Sequence, residues 1–335
     1  AVIHTLRADA LKEPVLAIGV IGSNRSEMDD GSIAKQHIEL EFLGVLSHAD
    51  SIRLVCSRSY LVSDGTGQPD PPSRMLCVLI QLLSVVSCRR AHGDQGDIMI
   101  DSRVSLDDAI AARGLMPFIG IYDAFSASIV AHHYDALFVS GFGFAASHYG
   151  MPDIGFGTWT DTVDFVRRLR SILPNHYVLV DIDDGFCDVE VAVHTVKVLE
   201  AAGASAVMLE DQRRPRRCGH FNGKQLLELG DYTEKLERVL AARDELFVIA
   251  RTDSADRDDI FRRVEAFAAT GADAILVDGL SDLSMLSELR DHVGLPVAFN
   301  QISGGKSPAA TLSELHNAGA SIAIYSTPAL FAAQH

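Results

Sequence analysis

The chain has 335 residues, a formal net charge of −16 and a hydrophobic share of 47%. That length accommodates one barrel of about 250 residues plus an extra segment, with ample apolar material for a large core. The acidic balance excludes nucleic acid and anionic membrane as general partners. An anionic substrate then needs a local cation, which a metal, an Arg or a helix N-terminus can supply.

In chain order, residues 1–14 mix charged and apolar types and carry no apolar core of a secretory signal. Residues 15–21 read as a buried strand, 22–24 as a turn, 32–46 as a helix N-capped by Ser32, and 52–56 as a second strand. The stretch Gly19-Val20-Ile21-Gly22-Ser23 lacks the full G-x-G-x-x-G spacing, so a nucleotide site there is disfavoured. Residues 63–73, rich in Gly, Pro, Asp and Ser, read as a loop. The apolar run 75–88 contains Gln81 and Ser84, is too short to span a bilayer, and reads as a buried helix. Residues 1–102 are therefore expected to form an additional N-terminal α/β segment without an assigned role. The five cysteines, Cys56, Cys77, Cys88, Cys187 and Cys218, include no C-x-x-C pair. Their odd number disfavours a disulfide framework and a zinc ribbon, and favours reduced thiols in a cytoplasmic protein.

From residue 103 the pattern becomes regular. β-Branched runs recur at 118–122, 136–140, 177–181, 206–210, 247–251, 274–278, 297–300 and 322–325. Amphipathic stretches such as 189–202 and 256–270 lie between them, with Gly203 and Gly271 in the expected C-cap positions. Eight apolar strands alternating with helices predict an α/β fold, a (β/α)₈ TIM-type barrel over 103–335.

Active sites of such barrels lie at the C-terminal strand ends, where this sequence concentrates polar groups. Asp181 and Asp183 share one side of a strand end, and Glu210 ends the next strand. Carboxylates packed together repel unless a cation sits among them, and Mg²⁺ is the natural choice, with Mn²⁺ as an alternative. Asp183 or Asp184 could instead cap the following helix. Arg213-Arg214-Pro215-Arg216-Arg217-Cys218-Gly219-His220 is a basic run in an acidic protein. Flanking Arg217 and His220 predict thiolate character for Cys218, and a solvated basic loop with an incidental Cys fits the spacing equally well. Ser140-Gly141-Phe142 offers backbone N–H groups to a carboxylate. Arg251 reads either as an anion anchor or as a partner of the acidic strand ends. Cys187 reads as a small apolar residue near a helix start, His132, His133 and His148 as surface or packing residues, and Trp159 as a rim residue.

These motifs resemble the isocitrate lyase / phosphoenolpyruvate mutase superfamily, and within it the 2-methylisocitrate lyase-like group. The matching pieces include Tyr122-Asp123-Ala124-Phe125, Ser140-Gly141-Phe142-Gly143, Asp181-Ile182-Asp183-Asp184-Gly185, Leu209-Glu210-Asp211-Gln212, Arg217-Cys218-Gly219-His220, Arg251-Thr252-Asp253 and Gly304-Gly305-Lys306-Ser307. The resemblance implies Asp183 as the direct Mg²⁺ ligand, with Asp153, Asp181 and Glu210 holding its waters. It implies Ser140, Gly141, Phe142, Arg217, Gly219, Asn300 and Asp278 around a carboxylate or phosphonate substrate, and Cys218, His220 and Arg251 as the catalytic group. It also implies a homo-oligomer, dimer or tetramer, and C-terminal helices beyond the eighth strand, which are expected here either to be lacking or to be replaced by the first hundred residues. Phe138 and Asp278 depart from the Tyr and Glu usual in that group. The implied activity is a Mg²⁺-dependent carbon–carbon lyase acting on a 2-hydroxy di- or tricarboxylate. The alternatives are a P–C mutase, a phosphonopyruvate hydrolase or an oxaloacetate decarboxylase, and, from another class, a non-catalytic barrel that serves as a binding module.

Overall fold

The computed structural model describes residues 16–18, 43–48, 51–55 and 104–334. The chain divides into two units, Ala1–Val86 and Ser87–His335. In the first, β1 (Leu16–Ile18), β2 (Leu43–His48) and β3 (Ser51–Val55) form an antiparallel sheet in the order β1-β2-β3. Residues 43–46 are thus strand, not the end of the helix expected over 32–46. Their pairing with β1 and β3, Gly44 opposite Val55 and His48 opposite Ser51, overrides a weak helical periodicity. The turn at 22–24, the loop at 63–73 and the helix at 75–88 lie outside the described residues.

The second unit alternates strand and helix. Its elements are α1 (Leu106–Arg113), β4 (Met116–Ile121), α2 (Ala124–Ala131), β5 (Ala136–Val139), α3 (Gly141–Tyr149), α4 (Trp159–Ile172), β6 (Tyr177–Asp181), α5 (Val189–Ala201), β7 (Ala206–Glu210), α6 (Leu229–Leu240), β8 (Phe247–Thr252), α7 (Arg257–Ala269), β9 (Ala274–Val277), α8 (Ser284–Val293), β10 (Val297–Gln301), α9 (Leu312–Ala318), β11 (Ile322–Tyr325) and α10 (Pro328–Gln334). β4 to β11 pair in parallel and close into the predicted eight-stranded barrel, with β11 against β4. Each expected strand is present, with ends shifted by two residues at most. Polar side chains stop the helices where the sequence places them. Asp188 caps α5, Asp256 caps α7, and Thr158 with Asp161 forms a capping box at α4. The C-caps of α5 and α7 are Ala202 and Thr270. Gly203 and Gly271 follow one residue later, at φ 96° and 90°, in the left-handed conformation that a glycine adopts without a Cβ penalty. Among the described residues, no helix is long and apolar enough to cross a membrane.

The period-two alternation of each strand splits its side chains between two cores. One face packs under the helices, as do Leu137, Val180, Leu209 and Ala250. The other fills the barrel interior, as do Phe138, Leu179, Met208 and Ile249. Two residues further along, each interior row ends in a polar group: Ser140, Asp181, Glu210 and Arg251. Asp278 and Asn300 end the rows of β9 and β10 in the same way, after Leu276 and Ala298. The barrel's apolar layers thus carry the polar layer on top of them.

Phe138 is fully buried in the interior layer, one of the largest side chains with almost no exposure. Phe138→Ala is expected to cost about 3–5 kcal/mol through lost transfer energy and a residual cavity. A urea midpoint that falls with an unchanged m-value would be the measured sign of this.

Candidate active site

The carboxylates gather at the ends of β6 and β7. Asp183 sits at φ 50°, a left-handed conformation that Asp tolerates better than most residues, and this bend turns its side chain back beside Asp181. Its N–H donates to Asp181 Oδ1 at 3.1 Å, and its carbonyl accepts from Glu210 N at 2.9 Å. A Cβ on Gly141 would stand 3.2 Å from Asp183 Oδ1 and 3.3 Å from Asp181 Oδ2, so the first residue of α3 lies against both carboxylates. Ser140 N-caps α3 by accepting from Gly143 N, and the next N–H groups, of Gly141 and Phe142, form the helix's positive end. A pocket opens here, lined by Ser140, Gly141, Asp153, Asp181 and Asp183.

Asp184 does not cap α5, which Asp188 does. It faces Arg214, whose Nε and Nη2 each donate at 2.7 Å to its two oxygens. Arg214 is a better-matched partner than a helix end because its planar fork satisfies both carboxylate oxygens at once.

The sequence reading missed Arg216. Its side chain is 1% exposed and lies among the carboxylates. Nε and Nη2 donate to the two oxygens of Glu210 at 2.6 and 3.1 Å, and Nη1 contacts Asp153 and stands 3.1 Å from Asp183 Oδ1. In a run of four arginines, spacing does not say which one turns inward. The signal was the cluster's own need for a counter-charge. Arg217, the expected site residue, is exposed and reaches only its own loop, at Asn222 O. Burial pushes Asp183 up to about 7 and Glu210 up to about 8, against the pull of the Arg216 guanidinium. It also raises Asp181.

Among the described residues, no three His, Cys, Asp or Glu side chains converge closely enough to make a metal shell by themselves. The expected arrangement, Asp183 on the ion with Asp153, Asp181 and Glu210 holding its waters, needs no such shell, and here Arg216 lies against Asp153, Asp183 and Glu210. The donor set still fits Mg²⁺, which takes one or two carboxylates and keeps several waters. Asp183 Oδ1 is buried, and although Arg216 supplies charge to it, no hydrogen bond is directed at it.

The Cys218–His220 segment is tied down on both sides. The Gln212 side chain donates to Arg217 O at 2.7 Å and accepts from Arg217 N at 2.9 Å. A Cβ on Gly219 would fall 1.8 Å from Asp278 Oδ2, so only glycine allows this approach. Lys224 donates to Gly219 O and pairs with Asp253 at 3.2 Å. His220 Nδ1 accepts from Lys306 N at 2.9 Å, which leaves the proton of a neutral ring on Nε2, 3.6 Å from Asp278 Oδ1. Asp278 lies well below the usual carboxylate range. Arg251 Nη2 at 2.8 Å is the main favourable cause, with His220 and Asn300 Nδ2 adding to it against burial. Arg251 also binds Asp253 at 2.9 Å and Glu210 at 3.2 Å. The second reading of Arg251, a partner of the acidic strand ends, is the observed one. Asn300 Oδ1 accepts from Ser326 at 2.6 Å, another contact that sequence spacing gave no sign of.

The predicted thiolate character of Cys218 is reversed. Burial pushes its thiol up to about 11, and the carboxylates of Asp153 and Asp278 add to the rise. Arg217 precedes it in the sequence, but its side chain is exposed and bonds Asn222 O, while Asp278 lies beside His220.

A model of the family described as phosphoenolpyruvate phosphomutase matches residues 108–335. A 2-methylisocitrate lyase of Halalkalibacterium halodurans is 33% identical over 222 residues, covering 65% of this chain and 73% of that protein. The petal death protein of Dianthus caryophyllus is 35% identical over 251 residues, covering 72% and 78%. Among solved structures, a 2,3-dimethylmalate lyase of the PEP mutase/isocitrate lyase superfamily aligns with TM-score 0.66 at 28% identity, covering 70% of this chain and 82% of that one. The chain belongs to the phosphoenolpyruvate phosphomutase family. Its family match begins inside α1 and takes in the whole barrel, so every site residue described above lies within it.

Two outcomes are expected in this family member. Iodoacetamide should label Cys218 at pH 8 roughly a hundredfold more slowly than an ordinary thiol, and the rate should climb about tenfold per pH unit through pH 10, since only the thiolate reacts. A rate profile that levels off near pH 7 would restore the thiolate reading. Gly219→Ala should unseat the segment and speed this labelling while leaving the far-ultraviolet circular dichroism unchanged.

Proposed function

We propose that the barrel is a Mg²⁺-dependent carbon–carbon lyase that cleaves a 2-hydroxy di- or tricarboxylate to a 2-oxo acid and a second carboxylate. One observation carries this reading. Cys218, half-buried and with its thiol pushed up by that burial, is on the segment that packs against the Asp278 carboxylate at the strand ends. The relatives described as 2-methylisocitrate lyase and 2,3-dimethylmalate lyase support the reaction class.

Asp183 would hold the metal directly, with Asp181, Asp153 and Glu210 on its waters. When bound, the ion supplies Lewis-acid polarisation of the substrate's 2-hydroxyl and adjoining carboxylate. The positive end of α3 at Ser140, Gly141 and Phe142 binds a substrate carboxylate. Asn300 and Arg251 complete the pocket wall, the latter by fixing Asp278 and Glu210. As the hydroxyl gives up its proton to the carboxylate side of the site, its oxygen becomes the carbonyl of the 2-oxo acid. The adjacent carbon–carbon bond breaks, and its electron pair stays on the carbon next to the departing carboxylate. The Cys218 thiol donates a proton to that carbanion. A thiol near 11 suits this task, because it arrives protonated at neutral pH and is still far more acidic than the carbon it serves. His220, oriented by Lys306 and Asp278, positions the segment.

Cys218→Ser is expected to lower kcat by about 10²–10⁴ while Mg²⁺ binding, read by calorimetry, stays within twofold or so. The substrate screen covers 2-hydroxy tricarboxylates, alkylated malates, oxaloacetate and phosphonopyruvate with Mg²⁺ present. Turnover of phosphonopyruvate alone, undiminished in Cys218→Ser, would replace the lyase reading with a P–C bond reading. Release of a 2-oxo acid from none of them would sink both.

A further inference from the structure

Arg216 and a divalent ion need the same oxygens. The guanidinium aims its hydrogens at Glu210 and Asp153, and reaches Asp183 Oδ1 with charge but no directed hydrogen bond, at 3.1 Å. A hard cation bonds such a lone pair directly at about 2.0–2.1 Å and surrounds itself with waters. Those waters would have to occupy the volume that Arg216 Nη1 fills. The local charge points the same way. Among the described residues, the Lys and Arg side chains forming ion pairs with Asp153, Asp183, Glu210, Asp253 and Asp278 are Arg216, Arg251 and Lys224, fewer than the carboxylates, so a double charge neutralises the cluster better than a single one. Arg216 also lies two residues before Cys218, on a segment whose Arg213, Arg214 and Arg217 are exposed.

We infer that Arg216 and a divalent ion compete for the Asp153, Asp183 and Glu210 carboxylates, so that metal entry withdraws Arg216 and loosens the segment bearing Cys218. This rests on the metal-dependent reading above. The physical content is an exchange of cations. The guanidinium keeps the buried carboxylates paired and, in doing so, clamps the thiol-bearing segment over the strand ends. The ion takes over the pairing and leaves the segment free to admit substrate. Arg216 is in this sense a positioning residue, whose side chain couples metal occupancy to the place of Cys218.

The test uses the full chain, with MgCl₂ as the probe. In the unmodified protein, Mg²⁺ should speed tryptic cleavage after Arg216 and Arg217, and iodoacetamide labelling of Cys218, each by about fivefold or more. Mapping the labelled peptides by mass separates Cys218 from the exposed Cys187. Arg216→Gln should bind Mg²⁺ about tenfold more tightly by calorimetry, because no competing cation must leave, and its Cys218 labelling should no longer depend on Mg²⁺. Arg216→Lys, which keeps the charge but cannot fork, should fall between. Should Arg216→Gln fail to fold, the Arg216→Lys and unmodified-protein measurements decide. Equal Mg²⁺ affinity in the Arg216 variants and the unmodified chain overturns the inference and leaves the lyase reading intact. So does Mg²⁺ binding that leaves cleavage and labelling unchanged. No Mg²⁺ binding to any of the proteins overturns both.

Discussion

The charge balance at the C-terminal mouth of the barrel is the constraint on which the rest depends. Asp183, Glu210 and Asp278 are buried beside Asp181, with Arg216 and Arg251 threaded between them. A carboxylate removed from water without a partner would be too costly to keep charged, and leaving any one of these unpaired would cost several kcal/mol. Each guanidinium therefore serves more than one carboxylate, and Glu210 is shared between the two. The arrangement is held from below by the apolar layers of Phe138, Leu179, Met208 and Ile249, whose strands aim the charged row upward.

This balance explains why the segment over the mouth has the sequence it has. Arg216 must enter, so the chain on either side is pinned by Gln212 and by Lys224. Gly219 must touch Asp278, so no side chain fits there. His220 must accept from Lys306, and Gly305 lies so close that a Cβ would stand 2.4 Å from the imidazole Nδ1. The thiol between these fixed points sits in a desolvated and acidic setting. That setting pushes the Cys218 thiol up, although Arg217 before it in the sequence is basic.

The barrel was legible from the sequence because parallel strands covered on both faces must be apolar throughout and must recur with helices between them. Tyr177–Asp181, Ala206–Glu210 and Ile322–Tyr325 were readable to the residue for that reason. The segment 43–46 was not, because a short strand owes its state to the strands it pairs with, here β1 and β3. The same difference of range applies at the site. Asp181 and Glu210 reach the strand ends through strand periodicity, which is local. Arg216 inward, Arg217 outward, Arg214 on Asp184 and the rise in the Cys218 thiol are all set by contacts spanning up to 63 residues.

The sequence by itself determined the eight strands, the row of polar residues at their ends, the acidity of the site and the presence of a thiol in the basic run. Each of these depends only on residue type and on a short repeat. The tertiary structure alone decided which charges are paired, which arginine neutralises the cluster and whether the thiol holds its proton. Those properties depend on burial and on distances of about 3 Å between residues far apart in the chain, where the exclusion of water gives each contact its strength.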